Sequence, residues 1–175
     1  MNVPMRIDLF TREDILSHLD ALAAILENCV NDGASVSFML PFSRHKAHAF
    51  WRDIAQSVGR GERSVLVCCD EHGALIGTVQ LITHQPENQP HRADVAKLLV
   101  HENARRKGAA LALMEALETQ AREQGISLLV LDTATGSGAE RFYQRASWQK
   151  IGEIPRYALM PDGAMTATSV FYKLL

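Results

Sequence analysis

The chain has 175 residues, of which 47% are hydrophobic and 22% are charged, and its formal net charge at pH 7 is -2. This size and composition are ordinary for a soluble globular protein of one domain. The slightly acidic balance disfavours a nucleic-acid-binding protein, which is usually strongly basic, and the apolar runs are too short to span a bilayer.

Two helices followed by three strands are predicted for the first half of the chain. The helices are indicated by apolar residues that recur every three or four positions, and the strands by short apolar runs bounded by turn residues. A turn at Glu71-His72-Gly73 makes the first two strands a hairpin. The predicted helices are Thr11–Cys29 and Ser43–Ser57, and the predicted strands are Ser64–Cys69, Ala74–Thr83 and Arg92–Val100.

The second half of the chain is predicted to alternate helices and strands. The helix Gly108–Gln124 is followed by Gly125, at the position where a helix-ending glycine is preferred. The nearly continuous apolar run of Ile126–Asp132 indicates a strand buried on both faces. A short helix, Ser137–Arg145, and two strands, Trp148–Ile154 and Thr168–Leu174, follow. The order predicts a single α/β domain over residues 1–175, built on one mixed sheet.

The cysteines and histidines predict neither a disulfide framework nor a metal site. Cys29, Cys68 and Cys69 form no C-x-x-C or zinc spacing, and the histidines form no H-x-x-x-H pair. We therefore expect reduced, buried thiols and no metal. The N-terminal residues lack the long apolar core of a signal peptide, so we expect a cytoplasmic protein without a membrane partner.

One short segment places three cations immediately before a predicted helix. The segment is Arg105-Arg106-Lys107-Gly108-Ala109-Ala110. It matches neither the G-x-x-x-x-G-K-[ST] loop nor the G-x-G-x-x-G loop, and it follows the looser pattern R-x-x-G-x-A. A helix start exposes unpaired N–H groups, and small residues there let a phosphate approach the backbone. The segment is therefore interpreted as an anion site, and the alternative is a solvated basic turn.

Two motifs in the second half of the chain together suggest a family. The first is V-x-x-x-x-R-x-x-G-x-A, formed by Val100, Arg105, Gly108 and Ala110, and the second is Glu140–Trp148. They resemble the acetyl-CoA motif and the A-x-x-F-Y-x-x-x-G-F segment of the GCN5-related N-acetyltransferases (GNAT superfamily), and the element order matches as well. The resemblance implies an acetyl-CoA-dependent N-acetyltransferase whose fold has a central, splayed pair of parallel strands flanked by helices.

Three further segments resemble the tabtoxin-resistance type of acetyltransferase within that superfamily. They are Gly33–Leu40 (GASVSFML), Arg92–Val100 (RADVAKLLV) and Leu131–Ser137 (LDTATGS). This resemblance implies a small amine acceptor that is amino-acid-like or a toxin. The chain also departs from the family pattern, because Glu102 stands where proline is common and Ala110 where glycine is commoner; both keep a free backbone amide.

The resemblance assigns acetyl-CoA, as cosubstrate, to the end of one strand and the loop that follows it. The pantetheine arm is expected to pair with the strand backbone, and the diphosphate is expected to bind the loop. The expected cofactor-binding residues are Leu99, Val100, Arg105, Arg106, Lys107, Gly108, Ala109 and Ala110.

Amine acetylation requires a base, because an amine with a pKa of about 10 is protonated at neutral pH. Asp94 is the favoured candidate for this catalytic carboxylate. Strand alternation places it on one face with Ala96, Leu98 and Val100, and the family often holds its carboxylate near that end of the strand. The alternative is a structural aspartate at the strand edge that forms an ion pair with Arg92 or Lys97.

Asp132 ends the next predicted strand, where α/β sheets place ligand groups. It is expected to bind the substrate ammonium or to share the catalytic base role with Asp94. The alternative is a turn-capping aspartate, so the sequence leaves open which of the two carboxylates is the base.

The remaining candidates concern the leaving group and the acceptor. Tyr143 is the expected general acid, since the family's tyrosine approaches the CoA sulfur; the alternative is an aromatic residue packed beside Phe142. Phe38 is expected to line the acceptor pocket or to belong to the core. Lys97 interrupts an apolar strand and is interpreted as an edge lysine whose stem covers apolar surface.

Other functions remain open at this stage. Acetylation of a protein N-terminus or lysine is a second enzymatic interpretation, and an acyl-CoA-binding sensor without catalysis is a third. The family resemblance is compatible with a homodimer. A nucleic-acid partner is not expected, because its case depends on Arg105–Lys107 alone.

Overall fold

The computed structural model describes residues 5–175, so Met1–Pro4 of the predicted domain lie outside the described residues. The chain forms seven strands and five α-helices over this range, with a short 3-10 turn, Glu102–Ala104, before the fourth helix. In chain order they are β1 (Arg6–Phe10), α1 (Arg12–Ser17), α2 (Leu19–Asn31), α3 (Arg44–Gly59), β2 (Arg63–Cys69), β3 (Leu75–Ile82), β4 (Arg92–Val100), α4 (Ala109–Glu123), β5 (Leu128–Ala134), α5 (Gly138–Arg145), β6 (Gln149–Leu159) and β7 (Met165–Leu174).

All seven strands belong to one sheet, in the order β1-β2-β3-β4-β5-β7-β6. Every neighbouring pair is antiparallel except β4 and β5, which are parallel. A parallel connection needs a crossover, and α4 provides it between these two central strands. The mixed α/β class and the central parallel pair predicted from the sequence are confirmed.

The sheet separates two hydrophobic clusters. Helices α1 to α3 cover one side, here called the α3 face, where Trp51 and Ile25 are fully buried against Val65 and Val67. Helices α4 and α5 cover the other side, the α4 face, where buried side chains include Leu113, Leu117, Leu81 and Leu129. The buried side chains of the sheet therefore point into one of two distinct environments.

A β-bulge changes the alternation of side chains within β4. Thr78 pairs with Leu99 and Gln80 pairs with Ala96, so β4 carries one residue more than β3 between these two pairs. Lys97 lies within the bulge and has a φ of +56°, in the left-handed region. An extra residue of this kind reverses the faces of the residues that follow it.

The bulge makes one predicted side-chain arrangement wrong. Before it, Ala93 and Val95 point to the α4 face; after it, Leu98 and Val100 point to that face. Asp94 therefore lies on the α3 face, opposite to Leu98 and Val100, although it still shares a face with Ala96.

Several element boundaries also differ from the prediction. β1 was not predicted, and the long first helix is two helices, because His18 leaves helical geometry between α1 and α2. Thr11 begins α1 through a capping box with Asp14. The last two strands are longer than predicted and form an extended hairpin around Pro161-Asp162-Gly163. From Met5 onward, no helix combines the length and apolar character that crossing a bilayer requires.

Candidate functional site

The central parallel strands separate and open a cavity in the middle of the sheet. β4 and β5 pair only at Arg92 with Leu128, Ala93 with Leu129 and Asp94 with Val130. Beyond these pairs the strands diverge, and a cavity of about 720 Å³ lies between them. This volume is within the range of small-molecule and cofactor sites.

Four segments of the chain line the cavity. One is the end of β4 with the loop after it, and a second is the start of α4. The third is the end of β5 with the start of α5, and the fourth is the segment after α2. They contribute Val95–Val100, Ala104–Arg106, Gly108–Leu111, Leu131–Ala134, Gly138, Tyr143 and Asp32–Ser37.

The start of α4 presents backbone amides to this cavity. Gly108 precedes the helix with a φ of +87° and gives it no capping side chain. The N–H groups of Ala109 and Ala110 therefore remain available to an anion, and both residues line the cavity. A Cβ placed on Gly108 would meet only Met5, at 3.6 Å, so the positive φ rather than lack of space favours glycine here.

The three cations of the loop have different surroundings. Arg105 forms an ion pair with Asp32, and its Nε donates to the Val100 carbonyl at 3.3 Å. The hydrogen bond to Asp32 raises the pKa of Arg105. Arg106 lines the cavity and is exposed, with a φ of +63°. Lys107 is exposed and does not line the cavity, so its cofactor role stays a prediction.

Asp132 belongs to the cavity wall. It alternates with the buried Leu131 of the α4 face, so its carboxylate projects on the α3 face. Thr168 of β7 donates a hydrogen bond to its Oδ2 at 2.6 Å. The side chain is exposed, and one buried hydroxyl fixes its orientation, which suits a carboxylate that exchanges protons with a ligand.

Asp94 has a different environment from that of Asp132. Its carboxylate accepts hydrogen bonds from Arg92 at 2.6 Å and from Gln85 at 3.0 Å. It lies where β4 and β5 are still paired and is not among the residues that line the cavity. The structural ion pair considered as the alternative is present, and the catalytic role of Asp94 stays a prediction.

Tyr143 reaches the cavity from the α4 face. Its ring is buried and packs against Phe142, Trp148 and Phe171, with centroid distances of 5.3, 5.7 and 6.0 Å. Burial raises the pKa of the phenol above its ordinary value. The side chain therefore lines the cavity in its protonated form, and it faces the opening from the side opposite Asp132.

The segment after α2 forms the opposite wall of the cavity. Lys97 of β4 lines the cavity beside this wall. Its Nζ lies 3.5 Å from Ser37 Oγ and 5.9 Å from the centre of the Phe50 ring. Phe38 packs against Phe50 at 5.4 Å and supports this wall without itself lining the cavity. Lys97 was not predicted as a site residue, although a lysine within an apolar strand was the available signal.

Within residues 5–175, no three histidine, cysteine, aspartate or glutamate side chains come together as metal ligands would. Cys29, Cys68 and Cys69 are buried free thiols, as expected from the sequence.

Comparisons with known proteins identify a family and a common fold. Residues 27–148 match the family model described as "Acetyltransferase (GNAT) family". An N-acetyltransferase from Staphylococcus aureus superposes with a TM-score of 0.78 at 18% identity, covering 98% of this chain and 99% of that one. A ribosomal-protein-alanine N-acetyltransferase from Brucella melitensis gives 0.77 at 20% identity, covering 97% and 99%.

A third similar structure contains a ligand. The YncA protein from Salmonella typhimurium, solved with its cofactor acetyl-CoA, superposes with a TM-score of 0.77 at 17% identity. The alignment covers 99% of this chain and 95% of that one. At these low sequence identities, the structural similarity shows that the fold is shared and shows nothing beyond the fold.

Proposed function

This chain belongs to the acetyltransferase (GNAT) family, and we propose that it transfers the acetyl group of acetyl-CoA to the primary amine of a small molecule. The observation that carries the proposal is the cavity between the splayed strands β4 and β5. Helix-start amides, a carboxylate and a protonated tyrosine line this one cavity.

The residues of the cavity fit acetyl-CoA. Beyond Asp94, β4 has no strand partner on its β5 side, so this edge of the strand, which ends at Leu99 and Val100, is open to an extended amide-bearing arm. The amides of Ala109 and Ala110, with the nearby cation of Arg106, suit a diphosphate. When bound, acetyl-CoA supplies a thioester, whose acetyl carbonyl is open to attack by an amine.

We assign the base role to Asp132. An ammonium acceptor must lose one proton before its nitrogen forms the new C–N bond and a second proton as the amide is completed. Asp132 lines the cavity and is exposed, whereas Asp94 is outside the lining and is already bonded to Arg92 and Gln85. The Thr168 hydroxyl keeps the Asp132 carboxylate oriented while solvent removes the protons that it accepts.

We assign the acid role to Tyr143. When the C–S bond breaks, the sulfur leaves with the electron pair as a thiolate, and one proton converts it to the thiol. The phenol of Tyr143 is protonated at neutral pH because the ordinary phenol pKa is about 10 and burial raises it further, and it regains its proton from solvent after each cycle. The balanced reaction consumes an ammonium and a thioester and yields an amide, a thiol and one proton.

The acceptor assignment comes from the sequence. Three segments, Gly33–Leu40, Arg92–Val100 and Leu131–Ser137, resemble the tabtoxin-resistance type of enzyme, and all three contribute residues to the cavity. This supports a compact amino-acid-like or toxin amine as the acceptor.

An acceptor screen with release of the free thiol as the readout tests the proposal. We expect turnover of at least one small amine, and we expect Asp132→Asn to lower kcat/KM for it by about 10²- to 10⁴-fold. Asp94→Asn is the matched control and is expected to change kcat/KM by less than about tenfold. The opposite ranking of the two variants would assign the base to Asp94, and absence of turnover for every amine would overturn the proposal.

A protein N-terminus is the second candidate acceptor, supported by the name of the similar Brucella enzyme. The same screen should therefore include peptides with a free N-terminal amine. Faster turnover of long peptides than of any small amine would favour this second candidate.

A further inference from the structure

Lys97 is a cation without a counter-ion at the wall of the cavity. The bulge in β4 gives it a positive φ and turns its side chain toward Ser37 and Phe50. It is half-buried, and it makes no ion pair with any acidic side chain between Met5 and Leu175. A lysine in such a position normally has either a carboxylate partner or full contact with water.

Burial and the charged groups around Lys97 also change its pKa. Burial lowers its pKa, and the nearby Arg63 lowers it further, while Asp132 across the cavity acts in the opposite direction. Arg63 is itself held by neutral groups, since it donates to Ser57 Oγ at 2.9 Å and to Gln80 Oε1 at 2.8 Å. Glu62 is the carboxylate that acts on Arg63, and Asp132 is the one that acts on Lys97. Because Lys97 has no carboxylate in direct contact, an added anion would be stabilised beside it.

Lys97 and Asp132 are one pair of opposite charges among the charged residues of the cavity. Lys97 and Asp132 both line the cavity and both project on the α3 face of the sheet, one from β4 and one from β5. The strand divergence separates them. A ligand that carries both an ammonium and a carboxylate complements this arrangement better than a simple amine does.

We propose that Lys97, assisted by the Ser37 hydroxyl, binds the carboxylate of an amino-acid acceptor whose amine lies at Asp132. This proposal rests on the proposed acetyltransferase function and specifies the chemistry of its acceptor. Lys97 acts as a specificity-determining residue: its Nζ donates hydrogen bonds to the carboxylate, and the Phe50 ring beneath it restricts the direction of its side chain.

The test compares pairs of acceptors that differ only by the carboxylate. Suitable pairs are leucine with isopentylamine, phenylalanine with phenethylamine and lysine with cadaverine, together with the carboxyl-free or carboxyl-bearing analogue of any other amine found in the screen. In the wild type we expect kcat/KM to favour the carboxylate member by at least about tenfold. Lys97→Met should reduce this ratio toward one, and Lys97→Arg should retain part of it because the charge remains.

A second variant keeps the proposal testable if Lys97→Met folds poorly. Lys97→Glu reverses the charge of the subsite, so it should prefer cadaverine to lysine. The melting temperature of each variant with and without acetyl-CoA identifies variants that have lost the fold or the cofactor site.

The possible outcomes separate the two proposals. Turnover of amines with equal ratios in the wild type and in every Lys97 variant would overturn the carboxylate subsite and leave the acetyltransferase function intact. Equal loss of rate on both members of each pair in Lys97→Met would assign Lys97 a catalytic role instead and would also overturn the subsite. Absence of turnover for every amine would overturn the proposed function, and the subsite with it.

Discussion

Residues of the same type have different surroundings in this cavity. Asp94 and Asp132 lie on adjacent strands, yet one carboxylate is bonded to an arginine and the other accepts a single hydroxyl. Similarly, Arg105 and Arg106 both line the cavity, but Arg105 is paired with Asp32, whereas Arg106 makes no ion pair within residues 5–175. Partners within the protein therefore distinguish the members of each pair, and sequence position alone does not.

Tyr143 supports a prediction about the dependence of catalysis on pH. Burial raises its pKa, so the phenol stays protonated beyond its ordinary titration range. We expect kcat/KM to show no loss from Tyr143 ionisation between about pH 8 and 10. Removal of the proton donor in Tyr143→Phe should lower kcat by about 10²-fold or more.

Tyr157→Phe is the matched control for that measurement. Tyr157 lies on β6, is 54% exposed and does not line the cavity. The pH–rate profiles of both variants should be recorded with the same amine. A rate for Tyr143→Phe equal to that of Tyr157→Phe would show that Tyr143 only packs against the core.

At the scale of elements, the loop before α4 is joined to the end of α2. Arg105 pairs with Asp32, Asn28 Oδ1 accepts the Glu102 N–H at 3.0 Å, and Cys29 Sγ approaches the Val100 carbonyl at 3.4 Å. The segment after α2 forms the proposed acceptor wall, so these contacts connect it to the loop that is proposed to bind the cofactor.

This connection predicts different roles for the two arginines of the loop. Arg105→Gln should lower the melting temperature slightly, because it removes an exposed ion pair, and should change CoA affinity little. Arg106→Gln should weaken CoA binding by about two- to tenfold at low salt, with a smaller difference at high salt because ions screen exposed charges.

Calorimetric titration of each variant with CoA, paired with thermal unfolding, measures both quantities. The two changes are chemically identical and lie one residue apart, so each serves as the control for the other. A larger loss of CoA affinity in Arg105→Gln would mean that Arg105 leaves Asp32 when the ligand binds.

Elements with strong periodicity could be predicted from the sequence, and local irregularities could not. α4 and β5 are found close to their predicted bounds, because long apolar patterns and a terminal glycine define them. β1 was missed because Arg6–Phe10 is short, and only Phe10 is buried in it. The bulge at Lys97 depends on the register between β3 and β4, which a single strand's sequence does not encode.

In the candidate site, too, contiguous sequence patterns could be predicted and tertiary arrangements could not. The loop before α4 could be recognised because its pattern is contiguous, and the structure brings its backbone to the cavity, while its cofactor role stays a prediction. The acceptor side combines Ser37, Phe50, Lys97 and Asp132, which are distant in sequence and meet only through tertiary packing. The alternation rule placed Asp94 on the wrong face because the rule assumes an unbroken strand.

At the scale of the whole molecule, the cavity interrupts the centre of a sheet that carries one hydrophobic cluster on each face. The two clusters are continuous above and below the paired strands, and the splay between β4 and β5 admits polar groups to the interior. The burial of Lys97 is the clearest destabilising feature of this arrangement, since its folded environment lowers its pKa. Groups placed for function in this way commonly reduce stability.

The unfavourable burial of the Lys97 charge predicts that Lys97→Met stabilises the protein. A lysine whose pKa is lower in the folded state binds fewer protons there than in the unfolded chain, so its penalty is full below the folded pKa and disappears above the unfolded pKa of about 10.4. Lys97→Met should therefore raise the melting temperature by about 2–4 °C at neutral pH, and the gain should shrink as the pH rises toward 10.

Thermal unfolding of the wild type and of Lys97→Met at a series of pH values measures this difference in melting temperature. Lys46→Met, which changes an exposed lysine of α3, is the matched control and should leave the melting temperature nearly constant. A lower melting temperature for Lys97→Met would mean that the contacts of Lys97 with Ser37 and Phe50 outweigh its burial. A stabilised variant that has lost acceptor selectivity would instead establish that the molecule retains an unpaired buried cation because its ligand supplies the counter-ion.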